Sequence, residues 1–208
     1  MNIYEHIDYT LLKADATKKD IFALCDEAIA KGCASVCIPS DFVYEVKEMY
    51  GNALTICTVV GFPLGNSTIA TKTVEAEEAI ADGAKEIDMV MNIGEFKGGN
   101  HYYLKEEINA IAEVMPKNAV LKVIIETCYL TTKEIGIATI IIDESLADYV
   151  KTSTGFGTRG ASFEDIEIIK KNIHNGTKIK ASGGIRTEEE MKKYIEIGCD
   201  RIGASKLP

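Results

Sequence analysis

The chain has 208 residues, 46% of them hydrophobic, enough for one sizeable core and close to the lower limit for an eight-stranded α/β barrel. Its formal net charge of -9 is interspersed along the chain and not gathered in a tail, which argues for solubility and against nucleic-acid binding. No basic-then-apolar leader opens the sequence, and the longest apolar run, Ile135 to Ile142, is interrupted and too short to cross a bilayer, so a cytoplasmic protein with no membrane partner is expected.

A weak strand at Ile7 to Leu11 comes first, followed by a helix opening at the N-cap signature of Thr17 with Asp20. Further strand-like runs follow at Ser35 to Ile38, Leu54 to Val60, Glu86 to Met91, Leu121 to Glu126, Tyr149 to Thr154, Lys178 to Ser182 and Arg201 to Ala204, with amphipathic stretches between them. Ser162 with Asp165 and Thr187 with Glu190 open two later helices in the same manner. Gly32, Gly83 and Gly198 each end a helical run just before a strand, as left-handed caps would. This alternation predicts a parallel sheet with helical crossovers. Eight repeats in a single domain spanning residues 1–208 favour closure into a TIM (β/α)8 barrel, with a doubly wound open sheet as the alternative.

Six cysteines are scattered in apolar contexts without a CxxC pair, so they read as reduced thiols and no disulfide is expected; Cys37 and Cys57 read as core. The three histidines stand apart from one another and from any cysteine pair, so neither a metal site nor a cofactor is expected. Tyr102 and Tyr103 read as helix surface and core, since no basic cluster accompanies them.

The strongest chemical signal is Lys151 within Tyr149-Val150-Lys151-Thr152-Ser153-Thr154-Gly155, a strand-like segment ending in hydroxyls and glycine. The next strand repeats the design with Lys180. A single strand-end lysine commonly reaches out to water. Two on neighbouring strands repel, and repulsion together with burial favours a neutral, nucleophilic amine. Asp88, an acid inside the apolar strand Glu86-Ile87-Asp88-Met89-Val90, suits a proton shuttle or a structural partner for a lysine, and the two roles are compatible. Asp8 is a weaker candidate of the same kind, with a turn or capping role as the simpler reading. Glycines after the last strands (Gly155, Gly183, Gly184, Gly203), with Arg186 and Ser205 beside them, suit a phosphate site of the kind barrels build there.

Together, His6-Ile7-Asp8-Tyr9-Thr10-Leu11-Leu12-Lys13, Ser35-Val36-Cys37-Ile38-Pro39, Val59-Val60-Gly61-Phe62-Pro63-Leu64-Gly65, the Asp88 strand, the two lysine strands and Arg201-Ile202-Gly203-Ala204-Ser205 resemble the class I deoxyribose-phosphate aldolases over nearly the whole chain. The resemblance implies a TIM barrel in which Lys151 forms a Schiff base with an aldehyde, Lys180 depresses its pKa, and Asp88 acts with water in the proton transfers. It also implies that Asp8 and Thr10 contact substrate hydroxyls, and that Gly155, Gly183, Gly184, Gly203 and Ser205 hold the phosphate, with Arg186 nearby. The implied partners are small sugar phosphates and aldehydes, with a homo-oligomer as the assembly. Another Schiff-base sugar-phosphate lyase and a catalytically silent metabolite-binding barrel are the competing readings.

Many relatives carry a second serine after the last segment and then a C-terminal helix, where this sequence has Lys206-Leu207-Pro208. A barrel lacking its last outer helix is therefore expected. Apolar surface outside Arg201 to Ala204 and Ile7 to Leu11 would then face water unless the N-terminal segment or another subunit covers it.

Overall fold

The computed structural model describes residues 2–208. Eight parallel strands close into a barrel in chain order: β1 (Ile7–Thr10), β2 (Ser35–Cys37), β3 (Ile56–Val60), β4 (Glu86–Val90), β5 (Val120–Ile124), β6 (Tyr149–Lys151), β7 (Lys178–Ser182) and β8 (Arg201–Ala204). Closure is made by β1, which pairs Asp8 with Ser35 of β2 on one side and with Gly203 of β8 on the other. The open-sheet alternative is thereby excluded. Around the barrel run α1 (Lys18–Lys31), α2 (Val43–Tyr50), α3 (Ile69–Ala81), α4 (Ile93–Lys97), α5 (His101–Val114), α6 (Thr132–Asp143), α7 (Phe163–Asn172) and α8 (Glu188–Glu196).

The expected caps form. Thr17 and Thr187 close reciprocal capping boxes with Asp20 and Glu190, while Ser162 accepts from the Asp165 amide without the return bond. Gly32 is a left-handed cap, with φ 74° and ψ 44°. Gly83 and Gly198 differ from expectation: the caps are Asp82 and Ile197, and each glycine follows at φ near 113°, turning the chain into the next strand.

Several strands end earlier than their apolar runs. β5 stops at Ile124 and β6 at Lys151, because the chain beyond leaves the regular ladder for single bonds such as the Thr127 amide to the Thr152 carbonyl.

Alternation along the strands separates two environments. Outward residues, among them Ile87, Met89, Leu121, Val123, Val150, Ile179, Ala181 and Ile202, pack under the helices in one continuous apolar cluster. Inward residues are largely polar and charged.

No helix follows β8 among the described residues, as the sequence led us to expect. The apolar face outside this strand does not face water, and the cover comes from the N-terminal segment, one of the two covers the sequence allowed for: Ile202 is fully buried and Ala204 nearly so within the single chain. A short 3-10 turn, Ile3–His6, explains this. Ile3 joins the cluster that holds Ile202, Tyr4 donates from its hydroxyl to the Pro208 carbonyl, and the His6 ring contacts the Asp200 carbonyl at 3.0 Å. Truncating Ile202 to alanine should accordingly cost about 2–5 kcal/mol, as at a covered core position, in equilibrium denaturation; a cost under about 0.5 kcal/mol would mean that this face is open.

Candidate active site

The inward side chains fall into tiers contributed by alternate strands, the arrangement that fills (β/α)8 barrels, where branched apolar residues usually dominate. At the closed end stand Glu86 (β4), Tyr149 (β6) and Arg201 (β8). Above them lie Asp8 (β1), Cys57 (β3), Lys122 (β5) and Lys180 (β7), and then Cys37 (β2), Asp88 (β4), Lys151 (β6) and Gly203 (β8). Charged groups thus replace most of the usual apolar filling.

Asp88 is the centre. Its Oδ2 lies 2.7 Å from both Lys151 Nζ and Lys180 Nζ, so the two nitrogens are separated by no more than twice that distance. Its Oδ1 accepts from Lys122 at 2.8 Å and from the Cys57 thiol at 3.2 Å. Lys122 also meets Glu86 at 2.6 Å, and Lys180 meets Asp8 at 2.5 Å. Arg201 joins the network from below, donating from Nη1 to Asp8 at 2.5 Å and from Nη2 to Glu86 at 3.1 Å. Burial pushes the Asp88 carboxyl up, but Lys122, Lys151 and Lys180 outweigh it and hold the group well below the usual carboxylate range. Asp8 is held low in the same way, by Lys180, Lys122 and Arg201 against its burial. Burial disfavours charge on Lys180 too, yet Asp8 and Asp88 prevail and hold its ammonium group above the ordinary lysine range. The Lys122 ammonium is likewise held well above that range, chiefly by Asp88 against burial.

Lys151 is different in placement: it forms the floor of a cavity of about 480 Å³ that opens where the strands end. Thr10, Gly155, Gly183, Gly184, Arg186, Gly203 and Ser205 line the same cavity, so eight of the residues singled out in the sequence converge on one space. Asp8, Asp88 and Lys180 lie beneath it, each fully buried. Asp8 is therefore no turn or cap residue; it sits inside the barrel with both oxygens engaged by cations. Gly183 and Gly184 carry consecutive positive φ angles of 83° and 78°, turning backbone in a way that suits close approach to an anion. Gly203 is required by space: a Cβ there would lie 2.8 Å from the Ser182 Cβ and 3.4 Å from the Lys180 Cε.

The loop after β6 is pinned from β5. Glu126 has φ 50°, the one non-glycine positive value among the described residues, and is buried; its carboxylate accepts from the Thr154 amide at 3.2 Å and from the Thr154 hydroxyl. Thr154 in turn accepts from the Phe156 amide, and Arg159 ties the far end of the loop to Asp165 and to the Thr127 carbonyl. Phe156 meets Phe62 edge-on across the mouth, with centroids 5.3 Å apart.

Sequence reasoning missed Lys122, Glu86 and Arg201 in the interior, Lys13 and Lys206 at the rim, and Glu126 behind the loop. The interior group had a signal: Lys122 stands alone between apolar residues just as Lys180 does, and Glu86 shares its strand face with Asp88. Cys37 and Cys57 are buried as expected, though among charges and outside the apolar cluster. Their sulfurs and an Asp88 oxygen lie within 4.8 Å of one another, but lysines already engage both oxygens of Asp88. Tyr102 is exposed and Tyr103 half-buried, as read.

A parallel barrel with paired interior lysines beneath a cation-rimmed mouth suits amine chemistry on a small anionic substrate. The DeoC/LacD family aldolase profile matches residues 5–205. A deoxyribose-phosphate aldolase of Clostridium botulinum is 50% identical over 98% of this chain and 92% of its own. Among solved structures, the aldolase QR15 superposes with TM-score 0.93 at 39% identity, covering 98% of this chain and 91% of that one. A deoxyribose phosphate aldolase from Aeropyrum pernix, described as tetrameric, gives 0.90 at 29% identity over 98% and 86%. The chain belongs to the DeoC/LacD aldolase family.

Removing one partner from such a network strands buried charge. Lys122→Met should lower stability by about 3–5 kcal/mol at neutral pH in denaturant titration. The pH dependence has a definite sign. Asp8 and Asp88 have folded pKa values below their unfolded ones, so their contribution is complete above about pH 4 and is lost as pH falls through the folded values. Without Lys122 those values rise, and acid unfolding followed by circular dichroism should begin at higher pH than in the parent.

Proposed function

We propose that this chain reversibly cleaves 2-deoxy-D-ribose 5-phosphate to D-glyceraldehyde 3-phosphate and acetaldehyde, as a single catalytic domain with Lys151 as the Schiff-base amine. The observation that carries the assignment is the position of Lys151, the one lysine that both joins the Asp88 network and reaches the cavity. In its neutral form the amine adds to the substrate's aldehyde carbon, and a proton delivered to the carbinolamine hydroxyl lets it leave as water, so that the nitrogen, keeping its hydrogen, becomes an iminium. That cation withdraws the electron pair as the bond between the second and third carbons breaks, while the third carbon's hydroxyl gives up its proton and becomes the aldehyde of the released triose phosphate. The remaining enamine takes a proton at carbon, and water hydrolyses the imine to free acetaldehyde and Lys151.

In this reading Asp88 stands under the reacting nitrogen and moves protons through water, while Lys180 stays an ammonium group and disfavours a second positive charge on Lys151. Asp8 lies too deep to reach substrate and instead holds Lys180; Thr10, at the mouth, is the hydroxyl contact. The phosphate rests on Gly155, Gly183, Gly184, Gly203 and Ser205 with Arg186, and the exposed lining residues Lys13 and Lys206 add positive charge to a rim that has no acid. The substrate is a free small molecule, consistent with the size of the cavity, and not a nucleic acid. The setting we propose is the cytoplasm, with the enzyme as a homo-oligomer like its tetrameric relative.

Borohydride reduction in the presence of acetaldehyde should fix a two-carbon adduct on the peptide containing Lys151; an adduct on Lys180 with Lys151 unmodified would reverse the two roles. Lys180→Leu should slow turnover sharply and move the acid limb of the rate profile to higher pH, whereas an unmoved limb at near-normal rate would uncouple the lysines. Arg186→Met should raise KM for deoxyribose 5-phosphate by roughly tenfold, the loss of a charge-assisted contact, and leave kcat within about twofold. Coupled detection of glyceraldehyde 3-phosphate separates this substrate from other sugar phosphates.

A further inference from the structure

Seven charged groups share the barrel interior: the carboxylates of Asp8, Glu86 and Asp88 and the cations Lys122, Lys151, Lys180 and Arg201. With every group charged, the cations outnumber the acids by one. Arg201 does not release a proton at working pH. Lys122 lies against Glu86, Asp88 and Asp8, and Lys180 against Asp8 and Asp88, so each is held by more than one carboxylate. Lys151 has one carboxylate oxygen, which it shares with Lys180, and it alone of the four borders the cavity. Lys151 is therefore the cation of the network with the least carboxylate compensation, and loss of one proton from the network would bring the interior to neutrality.

We propose that Arg201 and Glu86, at the closed end of the barrel and away from the cavity, are positioning residues that set how readily Lys151 sheds its proton by fixing the charge of the network beneath it. Arg201 acts through Asp8 and Lys180, and Glu86 acts through Lys122 and Asp88. The inference rests on the assignment of Lys151 as the Schiff-base amine. The other groups that face the network from the remaining strands are the thiols Cys37 (β2) and Cys57 (β3) and the phenol Tyr149 (β6). Burial pushes Tyr149 and Cys57 up, so both stay neutral at working pH. Cys37 is held below the usual thiol range, first by its hydrogen bond with Cys57, which makes it the one further group able to carry charge beside Lys151. A Cys37→Ser background removes that variable.

The test is the acid limb of kcat/KM against pH, read in that background. A unit charge about 10 Å away, at the effective dielectric of such sites, moves a titration by on the order of one pH unit. Arg201→Met, which removes the surplus charge, should move the limb to higher pH by that order. Glu86→Gln, which adds to the surplus, should move it to lower pH. Arg201→Lys should stay within a few tenths of the parent, and the Arg201→Met/Glu86→Gln double variant should return towards it even if it is the least stable of the set. Single variants that shift the limb in the same direction, a double variant displaced further from the parent than either single, or limbs that stay in place while kcat alone falls would each overturn the proposal. If Arg201→Met does not fold, the direction of the Glu86→Gln shift decides alone. Borohydride trapping on the parent protein keeps the two claims apart: no adduct on Lys151 removes the amine assignment itself, whereas an adduct with unmoved limbs removes only the role of the closed end.

Discussion

Both oxygens of Asp88 are occupied by ammonium groups in the buried interior of the barrel, and the rest of the interior is arranged around that fact. A buried carboxylate needs partners, and three lysines supply them from β5, β6 and β7. Those lysines carry more charge than one acid can balance, so Asp8 and Glu86 enter from β1 and β4, and Arg201 ties both at the bottom. Each addition answers the previous one. Swapping such a network for apolar filling of similar volume is often neutral or favourable to stability, so stability alone does not account for it. Proton chemistry at the open end does.

Stability comes instead from the layer between strands and helices, where outward strand residues meet the helices in a continuous apolar cluster. This division lets the interior remain polar without unfolding the barrel. It also explains why the loops at the open end are tied individually. The loop after β6 hangs from Glu126, whose left-handed backbone costs on the order of 1 kcal/mol and which is held in place by Thr154. The loops after β6 and β7 also touch backbone to backbone, since a Cβ on Gly160 would fall 1.9 Å from the Gly183 carbonyl oxygen.

The sequence made the barrel legible because strand period, helix caps and glycine turns point to the same repeat, and the eight strands fall within three residues of their apolar runs. Lys151, Lys180 and Asp88 stood out because each interrupts an apolar strand. Arg201 and Glu86 did not, because a charge at the first residue of a strand ordinarily reads as a solvated end. Only closure brings β4 and β8, far apart in sequence, to opposite sides of one tier, so their pairing at 3.1 Å has no local signal. Asp8 was obscured in the same way, and the 3-10 turn covering β8 is too short to show any periodicity.

The rim and the floor of the cavity are coupled through charge. A phosphate dianion arriving at the mouth would, by itself, favour a proton on Lys151 and so oppose the neutral amine that imine formation needs. Lys13, Arg186 and Lys206, which come from the loops after β1, β7 and β8, surround the mouth without any acid among the lining residues. Their positive charge offsets the dianion where it binds, before its field reaches the floor through a low-dielectric wall. The same three side chains that would hold the substrate therefore also shield the proposed nucleophile from the substrate's own charge.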